Sequence, residues 1–210
     1  YDDRIKQETI ETLARSRLKH DPGAMAVYCN DGFTLAEMIV ERVGGRRYID
    51  FLKRKIFKPL GLKNTGMGVG KIRGKPMASY YDPKTGKKHP PETLSILGAG
   101  GLSSTAEELC RFADAFSAAG NLLKKASLAE MKKAQPSAFQ GRLRNPTFSF
   151  GLGWDLTGLP RYDQVGIQVL GKSGGTGNYS SMVLTVPERR ISVAVIAAGK
   201  IGRASCRERV

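Results

Sequence analysis

The spacing of apolar residues changes period once along this chain: up to about Thr147 it is helical, and beyond that point apolar and polar positions alternate. Ile5, Ile10, Leu13 and Leu18 form a loosely helical pattern over residues 2–18, stopped by Asp21-Pro22-Gly23. Leu35, Met38, Ile39 and Val43 make a one-sided stripe, which predicts a helix over 34–43 with that stripe inward and Gly44-Gly45 at its end. A third helix is predicted over 48–57, with Ile49, Leu52 and Ile56 inward and Pro59 beyond it. Residues 61–91 are rich in Gly, Pro and Lys and read as loop with short hairpins. Thr105 and Glu108 have the spacing of a capping box, and Leu109, Phe112, Ala113 and Phe116 supply the face of the helix it would start. Ser127 and Glu130 predict a further short helix by the same spacing.

After the change of period, residues 148–156, 166–172, 178–186 and 190–198 read as strands, the last two joined by a turn at Pro187-Glu188-Arg189. Helices first and strands afterwards predict an α+β fold with an antiparallel sheet: a mainly helical region over 1–146 and the strands over 147–200. Residues 201–210 fit neither period and resemble the in-frame translation of a short-read sequencing adapter, so they and Cys206 are set apart from the fold. The chain opens on Tyr1 with a stretch that already reads as the middle of a helical region.

Composition places the 210 residues among ordinary globular proteins, with 40% hydrophobic and 25% charged positions. No run of apolar residues is long enough to span a membrane as a helix. The formal charge of +15 raises the question of a nucleic-acid partner. Lys and Arg fall in small scattered groups without interleaved aromatics, and no nucleic-acid-binding motif is present, so none is expected; the basic surface would favour anionic partners generally. Three unevenly spaced cysteines indicate neither a disulfide framework nor a zinc site. His20 and His89 are the only histidines and sit beside Asp-Pro or Pro in apparent solvated loops, which leaves little for a metal centre or a Ser-His-Asp triad. Cys29 reads as a small space-filling residue and Trp154 as core.

Two constellations carry the chemistry. The first is Pro22-Gly23, four residues, then Tyr28-Cys29-Asn30; the second is Gly171-Lys172-Ser173-Gly174-Gly175-Thr176-Gly177, leading into a strand. Here the chain resembles the serine β-lactamase, D,D-peptidase and esterase superfamily, most closely its class C branch, in which a PG-x4-Y-x-N loop and a K-[ST]-G strand face a serine nucleophile. The likeness includes 57–62 (Phe-Lys-Pro-Leu-Gly-Leu), 100–105 (Gly-Gly-Leu-Ser-Ser-Thr) and 151–155 (Gly-Leu-Gly-Trp-Asp), similar to the family's connecting segments.

The resemblance implies a β-lactamase/transpeptidase-like fold and roles for six residues. Acyl transfer through a serine needs a base for the hydroxyl proton, a cationic wall and donors for the oxyanion. Tyr28 would be base or proton shuttle; a phenol ionises near pH 10, about three units above neutrality, so this needs cationic neighbours, of which Lys172 would be one. Asn30 would position the substrate amide or the nucleophile's lysine, Ser173 would hydrogen-bond a substrate carboxylate, Gly174 would leave room for substrate along the strand, and the Gly175 N–H would be one oxyanion donor. Substrates implied are β-lactams, D-Ala-D-Ala-like peptides or small esters, with no cofactor and with export from the cytoplasm.

A second K-T-G, at Lys84-Thr85-Gly86, lies in a turn composition with no strand after it, whereas Lys172 leads into alternating Met182, Leu184 and Val186. The only S-x-x-K, Ser16-Arg17-Leu18-Lys19, lies in a charged stretch just before the Tyr28 loop, while the family places its copy far upstream at the start of a buried helix. The nucleophile is therefore expected before Tyr1, together with the first strands, and the chain as given is expected to be inactive. A non-catalytic penicillin-recognition-like sensor or binding module is the alternative.

Overall fold

The computed structural model of the chain describes residues 3–68, 71–72, 75–92, 94, 96–117, 122–136 and 149–199; the tail 201–210 lies outside them. Helix α1 (Asp3–Ala14) packs on α2 (Asn30–Gly44), followed by α3 (Tyr48–Leu52), a π-helical turn (Lys53–Phe57) and the single turn α4 (Lys58–Leu60). Short strands β1 (Gly66–Met67), β2 (Lys71–Ile72), β3 (Lys75–Pro76) and β4 (Leu102–Ser103) form two small antiparallel pairs, β1 with β4 and β2 with β3. Helices α5 (Ala106–Asp114), α6 (Lys125–Lys132) and α7 (Pro160–Asp163) precede a three-stranded antiparallel sheet of β5 (Leu170–Gly175), β6 (Tyr179–Val186) and β7 (Ile191–Ala198).

The predicted first helix ends four residues early, and the second starts four residues early, at Asn30. Its expected apolar stripe is not its buried face: Ile39 and Val43 are exposed, whereas Thr34 and Glu37 are buried. The reason is electrostatic. Lys6 of α1, itself buried, reaches Glu37 at 3.0 Å and Glu41 at 2.5 Å, and the Gly98 N–H donates to Glu37 at 2.6 Å. Burial alone would depress the Lys6 pKa, but hydrogen bonds to Glu41 and Glu37 outweigh it and raise the ammonium above its ordinary range.

Of the predicted strand 148–156, residue 148 lies outside the described residues and the rest forms only single bridges, Ser149 to Leu156 and Leu156 to Gly171. The strand expected over 166–172 begins at Leu170, because the turn that follows α7 runs to Gly166, whose positive φ of 70° is not strand backbone. The other two strands and the turn between them match to within a residue. Their burial phase differs, however: Val183 and Thr185 are buried, while Met182, Leu184 and Val186 are half-buried. Helix α5 sets that phase by packing on β6 and β7, with Ser192 Oγ donating to Asp114 at 2.8 Å.

At α5, Thr105 caps as predicted, its hydroxyl accepting from the Glu108 N–H at 3.2 Å. The Glu108 side chain does not return to the cap; it turns inward to Asn64 and Thr65. Helix α6 starts after Lys124, so Ser127 is not its cap. Two apolar clusters result, one of Ala113, Phe116, Leu128, Trp154, Leu170 and Val183, the other of Ile49, Leu52, Phe57, Leu62 and Leu97; Phe112 of α5 packs against both. Trp154 is core as expected, meeting Phe116 edge-on at 4.9 Å.

Candidate active site

The Tyr-x-Asn loop is the entry to α2. Cys29 takes the N-cap position in an extended conformation, without a side-chain capping bond, and Asn30 is the first helical residue. Cys29 is exposed, so it fills no space in the core. Before it the chain is tied down where the Ala26 N–H donates to the Pro136 carbonyl at 2.5 Å. Tyr28 is left 56% exposed, which frees its ring to face a neighbouring element.

That element is β5. Register pairs Lys172 with Val183 and Ser173 with Met182, and directly opposed residues share a face, so Lys172 lies on the face covered by α5. Its ammonium sits 5.4 Å from the centre of the Tyr28 ring, within the range of a cation–π contact. It also donates to the Asp155 carboxylate at 3.1 Å and to the Ser173 carbonyl at 2.6 Å. Tyr28 and Lys172 are thus adjacent across 144 residues of sequence, and Asn30 lies two residues beyond Tyr28, at the first position of α2.

Asp155 was not among the sequence candidates. Its side chain is only 9% exposed, and Oδ2 accepts from Lys172 Nζ, from the Ser173 N–H at 2.9 Å and from the Ser173 hydroxyl at 2.6 Å. The backbone carries it there: the N–H groups of Asp155 and Leu156 both donate to the Gly171 carbonyl, and Gly171 returns a bond to Leu156. A signal was available, since a carboxylate between the apolar Trp154 and Leu156 must find partners if that run is core. Glu92 was missed too, and no sequence pattern marks it. It accepts from the Thr176 hydroxyl and, at 3.0 Å, from the Asn178 N–H, bracing the turn after β5.

Ser173, Gly174 and Gly175 are exposed along the outer half of β5. At Gly174 an added Cβ would stand 2.6 Å from Ser181 Oγ, so a larger residue there would have to displace the facing serine. Lys84 is elsewhere: it occupies an exposed turn organised by Asp82, whose carboxylate accepts from the N–H groups of Lys84 and Thr85 at 2.9 and 2.8 Å. Those bonds, the Thr85 amide first, hold the Asp82 carboxyl below the usual range. Ser16 follows α1 on an exposed stretch and donates to the Thr12 carbonyl at 2.8 Å. Both histidines are half-buried: a ring nitrogen of His20 lies 3.1 Å from the Asp21 carbonyl, and the ring of His89 is edge-on to Tyr80 at 5.2 Å. The solvated reading is therefore corrected for both, and at His89 the bond from its N–H to the Tyr80 carbonyl brings the two rings together.

Comparisons with known proteins support the fold and the family. Penicillin-binding protein 4* of Bacillus subtilis (strain 168) is 27% identical over 205 residues, covering 89% of this chain and 43% of that protein. A D-stereospecific amidohydrolase from Streptomyces sp. superposes with a TM-score of 0.72 at 26% identity, over 92% of this chain and 56% of its own. A class C β-lactamase from Rhodobacter sphaeroides shares the fold, with a TM-score of 0.72 at 19% identity over 95% of this chain and 62% of its own. The chain thus spans about half the length of these relatives. The family model described as Beta-lactamase matches residues 1–208, and the chain belongs to that family.

Proposed function

We propose that this chain is part of a serine acyl-transfer hydrolase, carrying the Tyr-x-Asn loop and the Lys-Ser-Gly strand of the active site but not the S-x-x-K nucleophile. The observation that carries the reading is the Lys172 ammonium 5.4 Å from the Tyr28 ring. A base and a cation must lie near one reacting atom for a serine to be activated, and these two residues are far apart in sequence. In this reading Tyr28 takes and returns the serine proton beside the Lys172 ammonium. Asn30 orients the substrate amide or the nucleophile's lysine, Ser173 and Gly174 line the substrate's path, and the Gly175 N–H is one oxyanion donor. The partner is a small molecule or peptide with a β-lactam, amide or ester carbonyl rather than nucleic acid, and the whole protein is exported.

The test is recovery of the reading frame upstream of Tyr1, followed by labelling of the whole protein with a fluorescent penicillin and a fluorophosphonate. An S-x-x-K is expected roughly 60 to 120 residues before Tyr28, a small domain's length. Lys172→Ala should cut labelling by about 10²-fold or more, while Lys84→Ala leaves it unchanged. Absence of that motif, or binding of the penicillin without acylation of any serine, would replace the catalytic reading with a non-catalytic sensor. The chain as given should not hydrolyse nitrocefin above background. Turnover abolished by Ser16→Ala would overturn the assignment of the nucleophile.

A further inference from the structure

We infer that Asp155 acts as an internal carboxylate at the Lys-Ser-Gly strand, occupying the donors a substrate carboxylate would use, so that the site favours acyl substrates whose leaving side is uncharged, an amide or ester. The inference rests on reading β5 as the substrate-binding strand.

A serine hydroxyl has one proton to donate. The Ser173 proton goes to Asp155 Oδ2 at 2.6 Å, the range of a charge-assisted bond, and leaves the oxygen facing a ligand only as an acceptor. An acceptor repels a carboxylate and welcomes the N–H of a carboxamide. Lys172, the cation that would draw an anion to this strand, lies 3.1 Å from the same oxygen. A second carboxylate here would set two negative groups against one ammonium in a partly desolvated place, where like charges disfavour each other.

Asp155 is also held in place. Its neighbours Trp154 and Leu156 are core residues, its N–H is bonded to the Gly171 carbonyl at 2.9 Å, and the Ser173 N–H fixes its carboxylate a third time. A swing into solvent would break the Ser173 and Lys172 bonds together. Asp155 is thus a positioning and selectivity residue, acting on the substrate through Ser173 and Lys172.

The experiment compares N-acetyl-D-alanyl-D-alanine with the same peptide ending in a carboxamide. Their kcat/KM ratio is measured on the whole protein, and their binding ratio on the present chain from the NMR shift of the Ser173 amide. The unsubstituted protein should prefer the carboxamide. Asp155→Asn, of the same shape but uncharged, should move both ratios towards the carboxylate by about 10- to 100-fold, the worth of one hydrogen bond to a charged group. Ser173→Ala alone removes the acceptor that favours the carboxamide, so it should also move the ratios towards the carboxylate, by less than Asp155→Asn does; added to Asp155→Asn it removes the freed hydroxyl donor and should reverse part of that shift. Preference of the unsubstituted protein for the carboxylate, or ratios that Asp155→Asn does not move, would overturn the inference. A whole protein that is not acylated sinks the catalytic reading instead, and the binding ratio then decides the role of Asp155. Failure of both peptides to bind in both variants counts against it.

Discussion

Glu108→Gln is the sharpest probe of what holds the helical region together. Glu108 is 3% exposed, and its two carboxylate oxygens accept from the Asn64 N–H at 2.8 and 3.0 Å, from Asn64 Nδ2 at 3.0 Å and from the Thr65 hydroxyl at 2.6 Å. Glutamine keeps the shape and one acceptor oxygen but turns an NH₂ towards donors that needed the other. One hydrogen bond to a charged group is lost, about 1.5–3 kcal/mol, which for a chain of this size lowers Tm by roughly 3–12 °C. Burial pushes the Glu108 carboxyl up, but the Thr65 hydroxyl and the Asn64 backbone and side-chain donors outweigh it and hold the pKa below the ordinary glutamate range. A depressed folded-state pKa contributes stability that is fully present above the unfolded value of about 4.3 and is lost as pH falls through the folded value. Thermal melts of the two proteins should therefore differ most near neutrality and converge on acidification. A difference below about 0.5 kcal/mol at neutral pH, or one that stays constant down to about pH 3, would refute the reasoning.

Gly98→Ala would drive a methyl into the Phe33 carbonyl oxygen and to 2.8 Å from Glu37 Cβ, both parts of α2, so a loss of about 1–3 kcal/mol is expected as a lower urea midpoint; an unchanged midpoint counts against it. Trp154 is the only tryptophan, so its fluorescence reports unfolding directly in the native chain, with circular dichroism used for its variants. Trp154→Ala should cost about 3–5 kcal/mol and Trp154→Phe clearly less, because phenylalanine keeps an aromatic face against Phe116; equal losses would show that the edge-on contact contributes nothing.

The sequence by itself determined the parts of this protein that depend on local rules. The hairpin of β6 and β7 was legible because period-two alternation and a Pro-Glu-Arg turn act within a few residues. The Thr105 cap was legible for the same reason, and the motif spacing singled out Tyr28, Asn30 and Lys172 before any geometry. Tertiary structure decided everything that turned on a distant partner. Ile39 and Val43 look like a buried stripe, yet Lys6 and the Gly98 N–H gave α2 a polar buried face, because an ion pair with a backbone donor can satisfy buried carboxylates that no local pattern predicts. Glu108 left its capping box for Asn64 and Thr65, more than forty residues away. The same holds at the site: the lysine was in the motif, but the carboxylate that holds it came from seventeen residues upstream, carried to the strand edge by the bonds of Asp155 and Leu156 with Gly171. Spacing along a chain specifies which groups are present, and only the pairing of distant backbone segments fixes which of them neutralise one another.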